Sequence, residues 1–117
     1  MLHNPYVERA IVSFRESLVW LFQEDVQDID QFSPEMDQQI ALMVYDFLCN
    51  RIGLWHIEDH DPEQLGHDLC LKVFGTGIRF IDRDSYSPAL ATCLDSQAPD
   101  WSFKHPITGD DGLIYLE

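Results

Sequence analysis

Apolar residues recur at three- and four-residue spacing from the start of the chain: Val7, Ala10, Ile11, Phe14, Leu18, Leu21 and Phe22. That period is the buried stripe of an amphipathic helix, and Asn4-Pro5 before it is a cap followed by a first-turn proline. The spacing predicts a helix over about Pro5 to Asp28, with Val12, Val19 and Trp20 off the stripe. A second start lies at Ser33-Pro34-Glu35; Met36, Ile40, Met43, Val44, Phe47 and Leu48 form its face, and Arg51 and Gly53 close it. Two helices joined by a short polar linker predict an antiparallel helical hairpin.

Beyond a polar connection over Trp55 to Asp61, Asp61-Pro62 caps a short helix to about Gly66. The period then changes. Leu69 to Phe74 and Ile78 to Asp82 flank Gly75-Thr76-Gly77 and are expected to be two strands around a tight turn, the glycines supplying positive φ. Ser87-Pro88 starts a short helix through Leu94. Trp101 to Lys104 and Leu113 to Leu116 are expected strands, with Gly109-Asp110-Asp111-Gly112 turning between them. The expected fold is therefore α+β, a single domain over residues 1–117 with the N-terminal helical hairpin packed on a small antiparallel β-sheet.

Charge changes this picture most. The 117 residues carry 21 Asp and Glu against seven Lys and Arg, a formal net charge of −14. Between Glu24 and Asp68, twelve acids face one base, Arg51. A hydrophobic fraction of 45% rules out a disordered acidic tail, so the acids decorate a folded surface at the expense of self-repulsion. A partner of opposite charge is the simplest explanation. Direct binding of nucleic acid or of an anionic membrane is excluded, because phosphates are repelled.

The expected contacts are Glu24, Asp25, Asp28, Asp30, Glu35, Asp37, Asp46, Glu58, Asp59, Asp61 and Glu63. Glu35 and Asp37 also suit a helix N-terminus. Glu24, Asp25 and Asp28, at the C-terminal end of the first helix, oppose its dipole and so favour a functional reading. Trp20 is the expected exposed anchor; Trp55, Trp101, Phe103 and Tyr115 read as packing residues.

Other chemistry finds less support. Cys49, Cys70 and Cys93 form no paired motif and sit beside leucines, as buried reduced thiols do. His56 and His60 with His67 or Asp68 match no established metal spacing, so no cofactor is expected. Glu58 or Asp59 with Asp68, or His67-Asp68, place carboxylates and imidazoles without a cleft or tuned acidity, and Cys70 reads as core, so no enzyme is expected. His67 and Asp68 are expected to close the short helix and enter the hairpin. The N-terminal Met1 to Pro5 lacks a basic lead into an apolar run, and Val12 to Phe22 is too short to span a bilayer; the cytoplasm is the expected compartment.

Gly66-His67-Asp68, the turn at Gly75 and Gly77, Phe80, Asp82-Arg83 and Asp111-Gly112-Leu113-Ile114-Tyr115 follow one another along the second half. This succession resembles a family of small acidic phage and plasmid proteins carrying Gly-His-Asp-Phe-Trp, Gly-Phe-Trp-Asp-Arg and a terminal Asp-Gly-x-Ile-Tyr. The chain departs where Leu69-Cys70 and Ile81 replace aromatic residues. The resemblance implies a shared fold and a mobile-element setting, and no reaction. In size and charge the chain is similar to bacterial DNA-mimic proteins, which occupy the DNA-binding face of a basic protein such as histone-like HU. The expected function is accordingly occupation of a basic nucleic-acid-binding protein. The alternative is an immunity or antitoxin-like inhibitor of a basic toxin nuclease.

Overall fold

The computed structural model describes residues 4–117; Met1 to His3, part of the N-terminal stretch weighed above, lie outside it. Among the described residues, four α-helices and one two-stranded antiparallel sheet make a mostly helical α+β fold. The helices are α1 (Pro5–Leu21), α2 (Pro34–Tyr45), α3 (Pro62–Val73) and α4 (Pro88–Gln97). Each starts at a side-chain cap followed by proline. Asn4 Oδ1 accepts from the Tyr6 N–H, Ser33 Oγ from Met36, Asp61 Oδ1 from Glu63 and Ser87 Oγ from Leu90, at 2.9–3.2 Å.

α1 ends seven residues before the expected Asp28. Val26 is fully buried, and reaching the core requires the chain to turn, which it does with Asp25 and Val26 N–H bonded to the Phe22 carbonyl. Asp28 then caps a 3₁₀ turn over Ile29–Gln31, its Oδ1 accepting from Asp30 N–H at 2.8 Å. Glu24, Asp25 and Asp28 therefore lie outside the helix, in the turns that follow its C-terminal end. α2 continues as a π-helical segment over Asp46–Ile52, closed by Gly53 as expected.

The largest correction is α3. The expected strand Leu69 to Phe74 is the second half of this helix, and Ile78 to Asp82 is an irregular stretch with a 3₁₀ turn at Phe80–Asp82. Gly75 and Gly77 do take positive φ, 70° and 92°, but they lead out of a helix instead of reversing a hairpin. α3 buries Leu65, Gly66, Asp68, Leu69, Cys70, Leu71 and Val73, and its polar side, Glu63, Gln64, His67 and Lys72, has a single residue after Asp68, so the run from Leu69 to Phe74 taken alone does not betray the helical period. It is the chief neighbour of α1. At Gly66 the two backbones nearly touch: a Cβ there would run into the Ala10 carbonyl. The α1–α3 seam is closed further by Ser13, whose hydroxyl donates to the Glu63 carbonyl.

Trp101 to Lys104, also expected as a strand, forms a turn, with Trp101 N–H tied to the Val73 carbonyl at the end of α3. The strands are β1 (Pro106–Thr108) and β2 (Ile114–Leu116), in register Pro106↔Leu116 and Thr108↔Ile114, around the expected glycine turn. β2 also meets the start of α2, where Ser33 N–H donates to the Ile114 carbonyl at 2.8 Å. One continuous core results, with Phe14, Leu18, Ile40, Phe47, Leu69, Phe80 and Leu94 inside it.

Candidate interaction surface

The outward face of α1 presents Glu8, Val12, Glu16, Val19 and Trp20, with Trp20 59% exposed as expected. Two clefts flank it and share Glu16. One, of about 210 Å³, is lined by Glu8, Arg9, Val12, Ser13, Glu16 and Glu63. The other, of about 370 Å³, is lined by Glu16, Val19, Gln27, Asp28, Ile29 and Asp30. The turn carrying Glu24 and Asp25 edges a third cleft at the end of α1. Asp59 and Asp61 lie near the start of the helix. Burial first, then the charges of Asp61 and Asp59, push the Tyr6 hydroxyl up to about 12, and that hydroxyl donates to the Ile57 carbonyl at 2.9 Å.

Eight carboxylates thus accompany α1 from end to end: Asp59, Asp61, Glu8, Glu16, Asp28, Asp30, Glu24 and Asp25. Seventeen residues of helix span about 25 Å. Glu8 and Glu16 were missing from the expected contacts, although their eight-residue separation around Val12 places them on one face.

The remaining expected contacts fall elsewhere or are neutralised. Arg9 pairs with Glu63 at 3.1 Å, Arg15 with Asp37 at 3.2 Å and Arg51 with Asp46 at 2.8 Å. Burial raises the Asp37 pKa despite Arg15, whose Nε is not aligned for a hydrogen bond. Hydrogen bonds from Arg51 and Asn50 hold Asp46 below its usual value. Glu35 opens α2 near the β-hairpin, where it adds to the effects of the Asp111 hydrogen bond and burial that raise Tyr115. Glu58 is exposed in the turn before α3. Arg79 and Arg83 are likewise matched, by Asp82 at 3.3 Å and Asp68 at 3.0 Å, so each of the five arginines has a carboxylate at hand.

His67 and Asp68 sit mid-way along α3, not at its end. His67 Nδ1 meets Ser17 Oγ at 2.8 Å, with its ring 6.2 Å from Trp20. Asp68 is 3% exposed and accepts from Gln64 Nε2 at 2.8 Å and Tyr86 OH at 2.9 Å. Burial and then Asp68 push the Tyr86 pKa upward. This set braces α3 against the 80–86 stretch.

Among the described residues, no three His, Cys, Asp or Glu side chains are placed to hold a metal, and no helix is long and apolar enough to cross a membrane. Of the three cysteines, only Cys70 is fully buried, which raises its thiol pKa; Cys49 is half-buried and Cys93 exposed, against expectation. Trp55 and Phe103, expected to pack, are 75% and 67% exposed, because the turns that carry them stand off the core. No protein-family model matches this chain, and no curated protein or solved structure matches it.

Proposed function

We propose that this chain is a small, cytoplasmic, non-enzymatic acidic domain that occupies the nucleic-acid-binding surface of a basic protein, carboxylates standing where phosphates otherwise sit. The observation that supports this most is the run of carboxylates along α1, two of its clefts joined through Glu16. A helix of about 25 Å is long enough to stand beside about seven phosphates of one strand of duplex nucleic acid, which carries a phosphate roughly every 3.4 Å. With every arginine already matched inside the molecule, the excess negative charge has no internal answer. Exposed Val12 and Trp20 supply apolar contact between the charges, and a Trp with a polar rim is a common interface anchor.

The experiment is capture of a histone-like DNA-binding protein by immobilised chain in competition with duplex DNA. Glu16→Lys/Asp28→Lys/Asp30→Lys should abolish capture, while Glu35→Lys/Asp46→Lys/Asp110→Lys, an equal change of charge away from α1, should leave most of it. Equal losses from both triple variants, with circular dichroism unchanged, would remove the assignment to α1.

A further inference from the structure

Asp59 and Asp61, at the far end of the acidic run from Glu24 and Asp25, each also line a cleft away from α1; the larger, of about 470 Å³, lies between the end of the π-helical segment and α4. Its volume falls within the roughly 300–1,000 Å³ of small-ligand sites. Ile52, Ala89 and Leu90 give it an apolar wall, and His56, Asp59 and His60 give it a polar one. A smaller cleft of about 230 Å³, lined by Asp61 and Tyr86 among others, shares His60 with it. His60 therefore borders both clefts, each of which holds one carboxylate.

His60 is held in place. The ring stacks on Tyr86 at 5.3 Å, and Tyr86 is anchored by its hydrogen bond to buried Asp68. His60 Nδ1 lies 3.2 Å from Asp59 Oδ1, yet the Asp59 side chain remains 84% exposed, leaving its second oxygen open. Among the described residues, no lysine or arginine lines either cleft. Trp55 stands beside the larger cleft with its ring 3.9 Å from that of His56, and its indole is mostly exposed. An aromatic face next to a carboxylate attracts ammonium and guanidinium groups. An anion would meet Asp59 and Asp61 unopposed by any fixed cation.

We propose that these neighbouring clefts bind an aliphatic amine bearing two cationic groups, one at Asp59 and one at Asp61, its alkyl chain passing over His60 and resting against Ile52 and Leu90. Free polyamines and paired lysines of a peptide share this chemistry. The test titrates the full chain, followed by amide NMR in about 150 mM salt, where longer-range attraction is screened. The two probes are spermidine and a blocked Lys-Leu-Lys peptide.

Saturable shifts at His56, His60 and Leu90 with either probe are expected, and the tighter probe identifies the source. Asp59→Asn and Asp61→Asn should each weaken binding roughly fivefold, the size of one exposed charge pair. Asp110→Asn, the same charge change in the β-hairpin turn, should change it by less than about twofold. Lysine substitutions at Glu16, Asp28 and Asp30 should leave these shifts in place, which separates this site from the clefts that share Glu16. Absence of saturation with both probes, shifts spread along α1, or equal weakening by Asp110→Asn would overturn the proposal.

Discussion

Asp68 shows how much a single side chain settles here. It is the one carboxylate among the buried residues described; it accepts hydrogen bonds from Gln64 and Tyr86 and is ion-paired with Arg83. Removing one member of a buried ionic set costs about 3–5 kcal/mol when the other is left without an answer. Arg83 is partly exposed, so Asp68→Ala should lose about 3 kcal/mol, read from urea unfolding. Gly66→Ala should lose about 1–3 kcal/mol for a different reason, overpacking against the Ala10 carbonyl. Tyr6 adds a pH dependence. Its folded pKa, about 12, stands above the ordinary 10.0, so its contribution is complete below pH 10.0 and disappears as pH climbs through about 12. Tyr6→Phe should flatten the alkaline limb of a denaturation profile over that window. At this scale the sequence was only partly informative. A structural role for His67 and Asp68 was legible from their neighbours in the chain, whereas their actual partners, Ser17, Arg83 and Tyr86, are distant in sequence.

Elements were legible where their signals are local. Every α-helix start was marked by a capping residue and a proline, and these act within three residues of themselves. Ser33→Ala, which strips the Met36 N–H of its buried acceptor, should therefore cost about 1 kcal/mol by thermal or urea unfolding. Ser87→Ala, at an exposed cap with a 3.2 Å bond, should cost less in the same assay. Element ends and buried elements were less legible. The end of α1 is decided by the burial of Val26, a tertiary demand absent from the local pattern. Leu69 to Val73 is apolar at every position but Lys72 because this end of α3 is buried, and such a run has the same appearance in a buried strand. Trp101 to Lys104 failed as a strand because Trp101 is spent on the end of α3 and pairing begins only at Pro106. The candidate surface divided in the same way: acids beside α1 were readable as charge, but Asp37, Asp46 and Glu63 had arginine partners that only folding brings near.

The whole molecule is a slab of 44 × 34 × 18 Å bearing a net charge of −14. Its thickness is only about twice the screening length at physiological salt, so charges on opposite faces still repel through it when salt is low. Added salt should therefore raise the melting temperature, by about 4 °C for each kcal/mol of repulsion relieved. The same salt should weaken the proposed complex with a basic protein. Opposite responses in a melting scan and a capture assay would be the signature of one charge distribution acting within and between molecules; a complex indifferent to salt would contradict the proposed function. The seam at Gly66 gives this surface one more property. Main chain meets main chain there with no side chain between, so α1 and α3 lie as near to each other as two helices can. Glu8 and Glu16 are therefore carried on a helix whose distance from its neighbour is set by the main chain itself, and in the proposed complex their separation would be settled before a partner arrives.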